Sequence, residues 1–111
     1  MTESTIQTQL KKGALEMCVL ALLARGESYA YEIASTLAAG IGMGEGTIYP
    51  LMRRMQNDGL VATRIVESSS GPPRKYYRLT PSGRKQLAAS ESKWKQMANA
   101  IARVMWPAEE G

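Results

Sequence analysis

The chain has 111 residues and a formal net charge of +4, with one cysteine and no histidine. This length predicts one domain, or one domain with an appended element. A single cysteine excludes an intramolecular disulfide, and the lack of histidine removes the commonest general base and metal ligand. No apolar run approaches the roughly 18 residues of a membrane span, and the polar N-terminus does not resemble a secretory signal. We therefore expect a cytoplasmic protein without cofactor, metal or membrane partner, and an enzyme is the least expected class.

Apolar residues at helical spacing predict three helices in the first half of the chain. The first covers residues 9–24 and is apolar on most sides, as a central helix is. A second helix is predicted over residues 29–39, with Ser28 as its N-cap and Gly40 as its end. A third is predicted over residues 45–57.

The third helix has two distinct faces. Ile48 begins an i, i+3, i+4, i+7 series that continues with Leu51, Met52 and Met55 and predicts the buried side. Pro50 is expected in or near the first turn, where its missing N–H costs little. The residues left on the outward side are Thr47, Tyr49, Pro50, Arg53, Arg54 and Gln56.

The second half of the chain predicts a hairpin and a long helix. Segments 60–68 and 74–80 are rich in β-branched and aromatic residues, so they predict two strands with Arg74 and Lys75 at the hairpin tip. Thr80 is a predicted N-cap for a helix that begins at Pro81 and continues to about residue 105. Its three- and four-residue spacing forms a coiled-coil-like seam, which predicts a partner helix. The seam consists of Leu87, Ser90, Trp94, Met97, Ile101 and Val104.

Glycines alternate at positions 40, 42, 44 and 46, in a pattern that suggests a phosphate-binding loop. The dinucleotide motif G-x-G-x-x-G fails in every register, and no lysine follows Gly46 as a P-loop requires. The segment also follows a predicted helix rather than a strand. These glycines instead predict a sharp connection between two helices.

Three helices followed by a hairpin give the element order of a winged helix-turn-helix. We therefore expect a mainly α fold with a small β-hairpin, in which residues 1–79 form a DNA-binding domain and residues 80–111 a dimerisation helix with a short tail. In such domains the third helix enters the major groove. Basic residues between positions 53 and 78 outnumber acidic ones, which favours DNA over the alternative of a solvated helix face.

Two long segments show a family resemblance. "GTIYPLMRRMQNDGLV" resembles the recognition helix of the PadR family of transcriptional regulators, and "PRKYYRLTPSGRKQL" resembles the family's wing and the start of its last helix. "ESYAYEI" resembles its second helix. A single long C-terminal helix is similar to the short subgroup of that family.

The resemblance implies a homodimeric repressor that binds an inverted repeat in promoter DNA. It implies that Thr47 and Tyr49, with Arg53 or Arg54, contact the operator. It further implies DNA contacts from the wing and from two flanking positions. These residues are Arg74 and Lys75 on the wing, and Tyr29 and Lys12 at the flanks.

Two interpretations of Trp94 stay open. It is an anchor of the dimer interface, or it stacks on a flat aromatic effector in the dimer cleft, as the resemblance to some short family members implies. Met97 and Ile101 would line the interface in either case, and Leu87 and Val104 belong to the same seam. Two rival functions also remain: an effector-independent DNA-binding protein, and an interaction module that uses the seam to bind another protein.

Overall fold

The computed structural model describes residues 13–42 and 44–108. It confirms the predicted fold class, which is mainly helical with a small antiparallel sheet. Lys12 and the predicted start of the first helix lie outside the described residues. The elements, in chain order, are α1 (Ala14–Ala24), β1 (Ser28–Tyr29), α2 (Ala30–Ile41), α3 (Glu45–Asn57), β2 (Val61–Val66), β3 (Arg74–Leu79) and α4 (Pro81–Met105).

The core lies where α1, α2 and α3 meet the sheet. The inward series of α3 was predicted correctly, since Ile48, Met52 and Met55 are fully buried and Leu51 packs partly buried against them. Cys18 is also partly buried beside this core. Burial raises the pKa of its thiol, which favours the protonated form over the nucleophilic thiolate. The buried apolar residues are Val19, Leu20, Leu23, Ile33, Ala34, Leu37, Ile48, Met52, Met55, Val61, Tyr77 and Leu79.

The boundaries of the first two helices differ from the prediction. Gly13 has a left-handed φ of 87°, so α1 begins at Ala14 and no helix continues through residue 13. The predicted end of α2 at Gly40 is also wrong. The helix continues to Ile41 and ends at Gly42, whose φ of 73° is the left-handed conformation that glycine adopts cheaply.

A third strand replaces the predicted N-cap of α2. Ser28 and Tyr29 form β1, which pairs antiparallel with Tyr77 and Tyr76 of β3. Ser28 therefore does not cap α2, and its hydroxyl instead donates a hydrogen bond to Glu32 Oε1 at 2.6 Å. Because β1 covers one edge of β3 and β2 covers the other, the sheet order is β1-β3-β2.

Pro50 lies near the first turn of α3, whose bounds are those predicted. It is the sixth residue of the helix, beyond the first turn. Because proline has no N–H, the helix lacks the bond that residue 50 would otherwise donate to the Gly46 carbonyl. Both residues are exposed, so water can solvate this carbonyl.

An ion pair connects the turn after α1 to the wing, which we define as β2, β3 and the loop between them. Arg64 of β2 donates its Nε–H to Glu27 Oε2 at 2.8 Å, and its terminal nitrogen donates to Oε1 of the same carboxylate. This two-point contact fixes orientation as well as distance, which is characteristic of arginine–carboxylate pairs. The pair therefore holds β2 against the helical part of the domain.

The start of α4 packs on the domain, and its later turns extend away from it. Thr80 caps α4 as predicted, since its Oγ1 accepts a hydrogen bond from the Gly83 N–H at 3.0 Å. Leu87 packs against the core, whereas the side chains from Glu91 to Ile101 are exposed. The helix has 25 residues and is therefore about 37 Å long. Within the described residues, no helix is long and apolar enough to cross a membrane.

Truncation of Met52 is expected to destabilise the domain. Met52 is fully buried on α3, and Met52→Ala would leave a cavity that costs about 2–5 kcal/mol of unfolding free energy. Urea denaturation followed by circular dichroism measures this loss. Met105→Ala is the matched control, because Met105 is 60% exposed at the end of α4. Equal loss in the two variants would contradict the assignment of the core.

The Glu27 carboxyl is expected to titrate below its usual range. The hydrogen bond from Arg64 is the main reason that the Glu27 pKa is lowered from 4.5. A carboxyl whose pKa is lower in the folded state than in the unfolded state stabilises the fold at pH values above its unfolded-state pKa. This stabilisation is lost as the pH falls through the folded-state pKa. Carbon-detected NMR titration should show the Glu27 pKa rising toward 4.5 in Arg64→Gln and staying low in Arg103→Gln. An unchanged pKa in Arg64→Gln would contradict the ion pair.

Candidate nucleic-acid interface

The outward face of α3 carries an exposed hydroxyl and an exposed cation. Thr47 and Arg53 are both exposed, whereas Ile48 and Met52 beside them in sequence are buried. Arg53 makes no ion pair with any residue that the structure describes. Among the described residues, no carboxylate therefore competes with an external acceptor for its guanidinium donors.

The first turn of α3 is open to close approach. Gly44 precedes the helix in an extended conformation, and its carbonyl accepts from the N–H groups of Thr47 and Ile48. A Cβ added at Gly44 or Gly46 would have no described atom within 4 Å. Because neither glycine has a side chain, the backbone of another molecule could come close to the N-terminal end of α3.

Arg54 differs from its neighbour Arg53. Its terminal nitrogen donates to Glu16 Oε2 of α1 at 2.7 Å, so this guanidinium is already paired within the domain. The resemblance had left Arg53 and Arg54 as equal candidates for DNA contact. The structure distinguishes them, because Arg54 connects α3 to α1 through this ion pair and Arg53 pairs with no described carboxylate.

Tyr49 is less exposed than predicted. Its side chain is half-buried and packs against the core, although the helical pattern placed it on the outward face. An aromatic ring of this size reaches the core edge from a boundary position of α3. Thr47 and Arg53 are therefore more accessible than Tyr49 on the outward face of α3.

Aromatic and cationic groups stack along β3 of the wing and against Tyr29 of β1. The rings of Tyr29 and Tyr76 have centroids 5.6 Å apart, and the Arg74 guanidinium lies 4.6 Å from the Tyr29 centroid. Lys75 Nζ lies 5.4 Å from the ring centroid of the buried Tyr77. Cations over ring faces are attracted by the aromatic quadrupole, so these contacts orient Arg74 and Lys75 while both remain exposed.

Two acidic residues that organise the interface were missed from sequence. Glu16 holds Arg54, and Glu27 holds Arg64. The partners lie 38 and 37 residues apart, so no local spacing pattern could indicate either pair. Because each carboxylate pairs with an arginine, the domain has fewer unpaired cations than its composition suggests.

Most of the predicted seam on α4 is exposed in the single chain. Trp94, Met97 and Ile101 are 45%, 52% and 50% exposed, and Val104 is more so. Leu87 differs, because it packs against the domain's own core. A shallow groove of about 240 Å³ lies between α1 and α4. It is lined by Gly13, Met17, Ser90, Lys93, Trp94 and Met97.

The comparisons with known proteins agree with this architecture. Residues 19–89 match the family described as "Transcriptional regulator PadR-like family". A PadR-like transcriptional regulator from Bacillus cereus is 35% identical, with a TM-score of 0.80 over 91% of this chain and 99% of its own. A PadR family regulator from Eggerthella lenta is also 35% identical, with a TM-score of 0.83 over 95% of this chain and 93% of its own.

A more distant match was solved with nucleic acid. PadR from Bacillus subtilis, in complex with operator DNA, is 27% identical to this chain, with a TM-score of 0.63. The match covers 69% of this chain and 46% of that protein. The family matches confirm the prediction of a regulator rather than an enzyme. The chain belongs to the PadR-like family of transcriptional regulators.

Proposed function

We propose that the protein is a homodimeric cytoplasmic repressor that binds an inverted-repeat operator and is released by a flat aromatic ligand. Residues 1–79 act as the DNA-binding domain, and residues 80–111 act as the dimerisation helix and tail. The observation that carries the proposal is the outward face of α3, where Arg53 is exposed and unpaired within the described chain. The operator complex of the related Bacillus subtilis protein supports DNA as the partner.

The exposed groups of α3 suit the major groove. An arginine at this position can make a bidentate contact with guanine or hold a phosphate, and Thr47 can donate to phosphate or touch a thymine methyl. Tyr49 would contribute through the exposed part of its ring. Arg54 would contribute mainly by holding α3 against Glu16.

The wing is proposed to contact the DNA backbone or the minor groove. Arg74 and Lys75 supply the charge, and Tyr29 holds Arg74 in place by stacking. These contacts are not specific for sequence, but they add affinity and orient the domain on the duplex. Lys12 remains a proposed contact to a flanking phosphate.

The exposed apolar seam on α4 supports dimerisation. Trp94, Met97, Ile101 and Val104 follow one another at three- and four-residue steps, and all are exposed in the single chain. Pairing with the same helix of a second copy would bury them around a two-fold axis. The two α3 helices would then face successive major grooves about 34 Å apart.

The proposed ligand enters beside Trp94. The groove there is bounded by Met17 of α1 and Met97 of α4, and methionine side chains adapt to varied apolar shapes. A flat aromatic molecule stacked on the Trp94 ring would change how the α4 helices pack across the dyad. Because each half-site depends on the other for affinity, a changed spacing of the two α3 helices would weaken operator binding.

Loss of the Arg53 guanidinium is expected to weaken specific binding. Arg53→Ala removes a candidate base contact worth about 1–3 kcal/mol per half-site, so operator affinity should fall at least about tenfold. Fluorescence anisotropy with a labelled duplex from the protein's own upstream region measures this change. Arg103→Ala is the control, because it removes an equal charge from the last turn of α4.

The same titration separates the rival functions. Tighter binding to the upstream duplex than to a random duplex supports the repressor. Equal binding to both would favour an effector-independent DNA-binding protein. No binding to either at physiological salt would favour a protein-interaction module, and equal losses in the two arginine variants would contradict the role of Arg53.

Removal of the Trp94 ring is expected to abolish the ligand response. In Trp94→Ala, flat aromatic compounds should no longer release DNA. Because loss of an apolar seam residue also weakens dimerisation, the release is measured at a protein concentration at which the unliganded variant still occupies its operator fully. Trp106→Ala is the matched control, because Trp106 is 73% exposed at the end of α4. A full ligand response in Trp94→Ala would contradict stacking and leave Trp94 as an interface anchor.

A further inference from the structure

The junction between α3 and α4 is held by one threonine. After α3 ends, the Leu60 carbonyl accepts the Thr80 backbone N–H at 3.2 Å. The Thr80 hydroxyl lies 2.6 Å from the Gly59 carbonyl oxygen and 3.0 Å from that of Leu60, and its single proton can be donated to either. The same hydroxyl oxygen accepts from Gly83 N–H at 3.0 Å. Thr80 therefore joins the end of α3 to the first turn of α4.

Gly83 brings the two backbones into direct contact. A Cβ at this position would stand 2.1 Å from the Leu60 carbonyl oxygen and 3.1 Å from its carbonyl carbon. Such an overlap with backbone cannot be relieved by rotating a side chain. Gly83 is buried, whereas most of the residues around it in α4 are exposed. The first turn of α4 thus packs directly on the backbone of Leu60, which follows the end of α3.

This arrangement leaves little freedom between the two helices. Gly59, with a φ of 76°, and Leu60 donate their N–H groups back to the Gln56 and Met55 carbonyls at the end of α3. The Leu60 carbonyl is then bonded to Thr80 at the start of α4. A continuous set of short hydrogen bonds and one glycine contact therefore connects the two helices, with no intervening flexible linker.

We propose that Thr80 and Gly83 are positioning residues that set the angle between α3 and α4, and thereby the operator spacing that the dimer accepts. The proposal rests on the dimeric operator binding proposed above. In a symmetric dimer, the direction of α3 relative to α4 in each subunit determines where the two α3 helices meet the DNA. A flexible junction would let one dimer bind operators with several half-site spacings, whereas a rigid junction selects one spacing.

The experiment uses palindromic operators whose central spacer varies by one base pair at a time. Each base pair rotates one half-site by about 34° relative to the other, and five base pairs turn it to the opposite side of the duplex. The wild-type dimer should bind its best spacing at least about 100-fold more tightly than a spacing five base pairs longer, because the second half-site is lost.

The variants separate positioning from stability. Thr80→Val removes the hydroxyl, and Gly83→Ala inserts a methyl group against Leu60. Thr80→Asp keeps an acceptor for the Gly83 N–H but has no proton to donate to Gly59 or Leu60, so α4 stays capped while the junction loses its bond. Thr80→Ser keeps both functions, and Thr36→Val is a control that removes an exposed hydroxyl on α2.

We expect Thr80→Val, Thr80→Asp and Gly83→Ala to reduce the spacing preference below about tenfold or to move the best spacing by at least one base pair. Thr80→Ser and Thr36→Val should retain the wild-type profile.

If Thr80 and Gly83 had only a structural role, their variants would bind operators of every spacing more weakly by the same factor. That result would overturn the inference. So would a wild-type profile in folded Thr80→Asp. A wild-type dimer that shows no spacing preference would instead overturn the dimeric operator binding on which the inference rests.

Discussion

Burial of one face of α3 determines what the rest of the molecule can present to a partner. Ile48 and Met52 have no exposed surface, and Met55 continues the same buried row. Because these side chains are spaced at one helical face, their burial against α1 and α2 fixes the rotation of α3 about its axis. Thr47 and Arg53 are left outward as a consequence. The chemistry of the candidate interface thus follows from the packing of its opposite side.

Pairing within the chain then divides the basic residues into two groups. Arg54 and Arg64 are held by Glu16 and Glu27, and they connect α3 to α1 and the wing to the turn before α2. Arg53, Arg74 and Lys75 stay exposed and have no carboxylate partner within the described chain. Net charge alone would count all five as equivalent. The structure thus separates cations that connect parts of the domain from cations that stay exposed.

Local patterns were sufficient for the parts of the fold that depend on nearby residues. The inward series of α3, the two strands of the wing and the Thr80 cap of α4 each rest on residues within a few positions of one another. The pairing of Ser28 with Tyr77 could not be predicted in this way, because it joins residues far apart in sequence. The strand β1 was therefore missed, and Ser28 was interpreted as a helix cap.

The same distinction applies to the candidate site. Thr47 and Arg53 could be assigned to the outward face because helical periodicity is local, but the choice between Arg53 and Arg54 depends on Glu16, 38 residues away from Arg54. The alternating glycines before α3 likewise acquire a meaning only with the fold. Gly42 and Gly44 lie between α2 and α3, whereas Gly40 belongs to α2 and Gly46 to α3. Gly42 ends α2 in a left-handed conformation. The alternating glycines do not form a nucleotide loop, since every register of that motif fails.

In the proposed dimer, two copies of α3 recognise one inverted repeat. Hydroxyl-radical footprinting of the purified protein on its own upstream region tests this most directly. We expect two protected half-sites related by a dyad, with their centres about one helical turn apart. Protection of a single site without a symmetric counterpart, or uniform weak protection along the fragment, would contradict it.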